Sequence, residues 1–271
     1  MKSSREVSID IKIIDLMDTF KLSGKAMAVL KMLLADEEIQ AAQEYANTVS
    51  IVRLGYNDHG PVHMRTVAYN AVFMMDLLKK AGIKMSLEAD GCGDFEDSLT
   101  AVMLASILHD LGMGMGRQNH ELHSTIMAQP IINNILAKVY EDNWRKRTMI
   151  RGVAMEGIAG HMGTVGISSL EAGIVQVADG CDMTKGRARI PISLVHTHKT
   201  GHIHQYSANS IENVIICAGS EKPIRIEVQM SSEVGLFQVE EVLLHKIANS
   251  TAKQHIELYT LVGEEAAKKY L

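Results

Sequence analysis

Adjacent histidine and aspartate side chains, His109 and Asp110, close an apolar stretch that reads Leu-Ala-Ser-Ile-Leu-His-Asp-Leu-Gly-Met-Gly-Met-Gly over residues 104–116. A neutral imidazole offers a nitrogen lone pair and a carboxylate offers two oxygens, so such a pair can grip a divalent cation, with the carboxylate free to bridge two. On its own the dipeptide is as easily a helix-terminal charge pair, and the metal reading depends on partners elsewhere. They recur along the chain: His63, His120, His161 and Asp179 each stand at the start or end of an apolar segment with helical spacing. In a helical bundle, side chains from the ends of different helices converge on one cavity while their apolar stems hold them still. A mixed imidazole and carboxylate set of this kind suits Mn, Fe, Co, Ni or Zn.

The elements that must carry these residues are read from periodicity. Residues 7–14 begin with alternating Val7, Ile9 and Ile11, as in a strand, and then shift to helical spacing. This lead-in over residues 1–24 is ambiguous and is a candidate to pair with a C-terminal sheet. Two short helices broken around Asp36 fit residues 24–52. Asp58 and Pro61 read as the cap and first turn of a helix that carries His63, with His59 either on its face or in the loop before it. The acidic, glycine-rich run 90–97 lacks the spacing of a calcium loop; Asp94 reads as a helix cap with Asp97 in the first turn, opening the apolar helix that delivers His109 and Asp110. His120 and His123 open a further helix in which Pro130 is expected to bend or split the run. Apolar helices then end near His161 and Asp179, with Asp182 one turn on.

After Pro191 the texture changes. Residues 213–218, 223–230 and 255–262 have Val, Ile and Tyr at alternate positions and read as strands, with a helix at 236–248 between the last two. The expected fold is therefore mostly α: a helical metal-binding domain over 25–195 and a small α+β domain over 196–271. His196, His198, His202 and His204 form a histidine-rich loop, either a second metal site or a cover for the first.

Composition excludes several classes. Among 271 residues, 46% are hydrophobic and 22% charged, which argues against disorder, and the chain is long enough for a sizeable core. A formal charge of −5 without a basic run gives no footprint for bulk nucleic acid. Three widely spaced cysteines, Cys92, Cys181 and Cys217, make neither a disulfide framework nor a zinc finger. With no apolar run long enough for a membrane span and no signal-peptide core after Met1, a cytoplasmic protein is expected.

The succession His63-Met-Arg-Thr-Val-Ala, Leu108-His-Asp-Leu-Gly and Val177-Ala-Asp-Gly-Cys-Asp resembles the H…HD…D signature of the HD superfamily of metal-dependent phosphohydrolases over residues 58–187. His120-Glu-Leu-His-Ser and His161-Met-Gly-Thr resemble the extra histidines of its dinuclear, five-motif branch, and Thr184-Lys-Gly-Arg resembles a turn in the bacterial enzymes that hydrolyse dinucleoside tetraphosphates. The resemblance implies an HD-domain helical bundle holding two divalent ions: the first on His63, His109, Asp110 and Asp179, the second on His120 and His161, with Asp110 bridging and His123 competing for the place of His120. Where the family often has a lysine in the HD motif, this chain has Met113. Arg117, Lys185 and Arg187 are the candidates to bind substrate in its stead.

The implied activity is hydrolysis of a phosphate ester or anhydride, expected to be that of a nucleotide, by a metal-activated water that Asp110 helps position. A homo-oligomer is expected, with the C-terminal domain either regulating access to the site or forming a dimer. Two alternatives stand beside this reading. One is a catalytically inactive nucleotide sensor that keeps the metal site for binding; the other is a diiron oxygenase on the same fold.

Overall fold

Fourteen consecutive buried residues make α6 (Phe95–Leu108) the central rod of the helical part. A helix buried all round has no solvent face and must be surrounded, and α2 (Lys25–Ala35), α4 (Pro61–Lys80), α8 (Trp144–Gly160) and α9 (Leu170–Gly180) pack against it. The structure, a computed structural model, describes residues 2–184, 203–263 and 267–271. It is mostly helical with a small four-stranded sheet near the C-terminus.

The ambiguous lead-in is a helix and adds no strand to the sheet. α1 (Ser4–Asp18) starts at a capping box in which Ser3 and Glu6 satisfy each other's backbone amides. Ile13 and Met17, four residues apart, are buried, whereas Val7 and Ile11 of the apparent alternation are exposed. Asp10 of α1 also accepts from the Nε of Arg65 at 2.8 Å, and that guanidinium, 2% exposed, reaches Gln43, Gln40 and the Pro61 carbonyl as well. These four hydrogen bonds tie α1 and α3 (Glu37–Thr48) to the first turn of α4, which makes the burial of the guanidinium tolerable.

Asp36 breaks the chain between α2 and α3 as expected, its side chain capping α3 at the amides of Glu38 and Ile39. Asp94 caps α6 in a box with Asp97, and both carboxylates pair with Lys146, at 2.9 and 2.6 Å. Two local expectations are corrected. Gly60, not Asp58, is the cap position of α4, because Asp58 spends its Oδ1 on the Gly60 amide before the helix begins. Pro130 does not split its helix: α7 (His120–Tyr140) runs through it, since buried Ala128, Ile132, Ile135 and Leu136 on either side hold the run against the core.

The C-terminal region follows the expected order of two strands, helix and strand. In the sheet, β1 (Ile211–Ala218) pairs antiparallel with β2 (Ile224–Met230), β2 parallel with β3 (Ile256–Val262), and β3 antiparallel with the short β4 (Lys268–Lys269). A parallel β2–β3 pair needs a crossover, and the helical run 236–248 supplies it. Ile224, Ile226, Val228 and Met230 are buried on one face of β2, and α4 packs against both β1 and β2. The crossover run docks on α9, where Gly173 is required: a Cβ there would meet Thr251 Oγ1 at 2.2 Å and Ser250 Oγ at 2.7 Å. The expected domain boundary near 195–196 and the histidine-rich loop lie outside the described residues, apart from the backbone of His204.

Candidate metal centre

Five helix ends meet at one point. His63 lies in the first turn of α4, His109 caps the C-terminus of α6 with Asp110 following, His120 opens α7, His161 caps the C-terminus of α8, and Asp179 closes α9. All six side chains are buried, and their ligand atoms fall into three overlapping groups able to hold a metal ion: His63, His109 and Asp110; His109, His161 and Asp179; Asp110, His120 and His161.

Asp110 spans the cluster with its two oxygens. Oδ2 lies 3.3 Å from both His63 Nε2 and His109 Nε2, while Oδ1 lies 3.2 Å from His120 Nε2 and 3.5 Å from His161 Nε2. Asp179 Oδ1 joins the first side, 3.1 Å from His63 Nε2. The geometry of the turn after Asp110 is set by Gly112, where a Cβ would sit 2.1 Å from the His120 carbonyl. Only glycine lets the start of α7 come this close, and the Gly112 amide bonds Ser124 Oγ at 2.8 Å to hold it there.

The imidazoles are oriented from behind. His109 Nδ1 donates to the Ser106 carbonyl at 2.9 Å, His120 Nδ1 to the Arg117 carbonyl at 2.9 Å and His161 Nδ1 to the Ile158 carbonyl at 2.7 Å. His63 Nδ1 donates to Asp182 Oδ2 at 2.7 Å. Carbonyl and carboxylate oxygens only accept, so these contacts fix a proton on each Nδ1, and in the neutral ring that leaves Nε2 as a lone pair. Those lone pairs then face each other, His63 to His109 at 3.2 Å and His120 to His161 at 3.1 Å, beside an Asp110 Oδ1 that has no hydrogen-bond partner. A protein interior does not leave acceptors pointed at acceptors without a cation to receive them, and a ring held by its Nδ1–H is the usual support of a metal-ligating histidine. The residues present fit metal ions.

The charges agree. Burial alone would raise the Asp110 carboxyl, but His109, His59 and His120 around it outweigh burial and hold it well below the usual carboxylate range. Burial likewise opposes ionisation of Asp179, and there the Lys246 ammonium with His63 and His109 prevails in the same direction. Burial pushes the His161 imidazole down to about 4, so it is neutral and available as a ligand near pH 7. Burial, reinforced by Asp179 and Asp182, pushes the nearby Cys181 thiol up, keeping it protonated and out of the ligand set.

The remaining candidates fall outside the cluster. His59 is buried in the loop before α4, its Nδ1 bonded to the Asn57 carbonyl at 2.6 Å and its Nε2 turned to Arg117 Nη1 at 3.5 Å. His123 is half-buried one turn into α7 and belongs to none of the ligand groups, because α7 turns His120 inward at that level. Arg117 stands at the edge, its guanidinium over the Tyr56 ring at 5.8 Å and its carbonyl holding His120. Met113 is fully buried, so the position carries an apolar side chain because it faces the core. Lys185 and Arg187 lie outside the described residues.

Two functional side chains escaped the sequence reading. Asp182 was visible as an acidic residue one turn past Asp179, but nothing in its spacing says that it orients His63. Lys246 comes from the crossover run of the C-terminal module and bonds Asp179 Oδ2 through its Nζ. A lysine in an ordinary helical pattern, 67 residues from its partner, gives no local signal.

A helical protein with a buried His/Asp cluster able to hold metal is compatible with an HD-type fold. Among curated proteins, the chain is 42% identical over 245 residues to the uncharacterized protein MJ1020 of Methanocaldococcus jannaschii, an alignment covering 90% of this chain and 92% of that protein; the chain belongs to the same family. No family model matches the sequence, and no solved structure matches it.

Proposed function

We propose that the protein is an HD-type metallophosphohydrolase that cleaves a phosphate ester or anhydride, with a nucleotide as substrate. The observation that carries the reading is the division of six buried ligands into two sides joined by Asp110, with Oδ2 on the His63 and His109 side and Oδ1 on the His120 and His161 side. In this reading His63, His109, Asp110 and Asp179 hold one divalent ion, and Asp110, His120 and His161 hold another. Two such ions supply a water of lowered pKa and neutralise the charge that grows on phosphate oxygens. Asp110 fixes the spacing of the two sides and so the place where the water is held. The Nδ1 contacts to Ser106, Arg117, Ile158 and Asp182 keep the imidazoles from turning. Arg117, held beside His59 and Tyr56 at the edge of the cluster, is the candidate cation for the phosphate. Lys185 and Arg187 remain candidates by sequence.

One observation favours the sensor alternative: the C-terminal module reaches the centre through Lys246, a route by which occupancy can be passed on. Loading the protein with Mn²⁺ or Fe²⁺ and screening nucleotides and phosphodiesters separates the readings. Metal-dependent release of product supports the hydrolase, nucleotide binding without turnover supports the sensor, and a redox-active mixed-valence iron pair supports the oxygenase.

A further inference from the structure

Lys246 is 5% exposed, yet it is a cation beside a candidate metal ligand. Its carbonyl accepts from Gln176 Nε2 at 2.8 Å, one turn before Asp179 on α9, and its stem packs against Gly180, where a Cβ would lie 3.2 Å from Lys246 Cδ. A surface lysine pairs loosely with any nearby carboxylate. This one has its backbone pinned and its stem packed, and its ammonium meets Asp179 Oδ2 while Asp179 Oδ1 faces His63.

We propose that Lys246 is a positioning residue of the metal centre, which keeps one oxygen of Asp179 for itself, presents the other to the cluster, and sets the metal affinity by its charge. The inference rests on the metal-centre reading above. Asp179 is thereby confined to donating one oxygen. An ammonium sharing a carboxylate with a divalent ion repels that ion, and in the metal-free protein the same ammonium compensates a carboxylate that would otherwise be buried with less counter-charge. Both effects act in one direction: they weaken metal binding relative to a neutral side chain at this position. The ion that does bind meets a less electron-rich ligand, so it remains the stronger Lewis acid.

Calorimetric titration of the metal-free wild type with Mn²⁺ and Zn²⁺, followed by Lys246→Met, Lys246→Gln and Lys246→Arg, tests this. The Met and Gln variants are expected to bind metal roughly ten-fold tighter or more, by removal of a unit charge from a partly desolvated site, and the Arg variant to stay near wild type. Gln keeps a hydrogen-bond donor and carries the test if the Met variant does not fold. With a substrate in hand, kcat falls in Met and Gln while KM holds, and Arg restores kcat. Thr251→Val removes a docking bond of the module, from Thr251 Oγ1 to the Ser169 carbonyl at 2.7 Å, without touching the cluster, and should leave metal affinity unchanged. Equal or weaker metal binding in the uncharged variants overturns the proposal, as does an effect of the same size in Thr251→Val. A wild type that takes up no metal defeats the metal-centre reading itself, and this inference with it, before any variant is read.

Discussion

Asp110 is the residue on which the site turns, because its two oxygens are each within 3.5 Å of a different pair of imidazoles. Asp182 acts one step back, through His63 Nδ1. Asp182→Ala leaves the ligands in place but frees that ring, and metal affinity should fall by about 10- to 100-fold, as for other supports of metal-bound histidines; competition with a chromogenic chelator measures it. The protons of the site also make a prediction. In the metal-free protein burial holds His161 neutral down to about 4, whereas its ordinary value is 6.5. Between these values the unfolded chain binds more protons than the folded one, so stability declines as the pH falls through that window. Thermal melts of chelator-treated protein should show a lower Tm at pH 5 than at pH 7, with a smaller decline in His161→Gln. A flat profile would contradict the assignment of a buried neutral imidazole.

At the scale of elements, glycines decide whether the helix ends meet. Gly112→Ala places a Cβ 2.1 Å from the His120 carbonyl, and α7 must move to relieve it. The expected cost is about 1–3 kcal/mol of stability, together with loss of metal binding on the His120 and His161 side while the His63 side survives; chemical denaturation and metal titration read the two effects separately. The same logic explains what could be read from the sequence. Helices α4, α6, α7 and α9 and the three longer strands were legible because apolar residues recur at their periods, and the ligands because they sit where those patterns stop. α1 was not, since Val7, Ile9 and Ile11 mimic a strand over too short a window and the deciding contact, Asp10 to Arg65, joins residues 55 apart. The roles of Asp182 and Lys246 were hidden for the same reason: orientation by hydrogen bonding across elements leaves no trace in spacing.

The whole molecule is a helical centre with a sheet module docked on it, and Gly173 marks the dock. Gly173→Ala would set a Cβ 2.2 Å from Thr251 Oγ1 and 2.7 Å from Ser250 Oγ, so the crossover run should loosen from α9, with faster amide exchange at 236–262. Among the described residues no helix is long and apolar enough to cross a membrane. The most direct test of the account is the metal content per chain of reloaded, dialysed protein, wild type beside Asp110→Ala, by elemental analysis. The account predicts two divalent ions in the wild type and none retained by Asp110→Ala, because the shared carboxylate serves both sides. A wild type without metal, or an Asp110→Ala protein that keeps both ions, would contradict it.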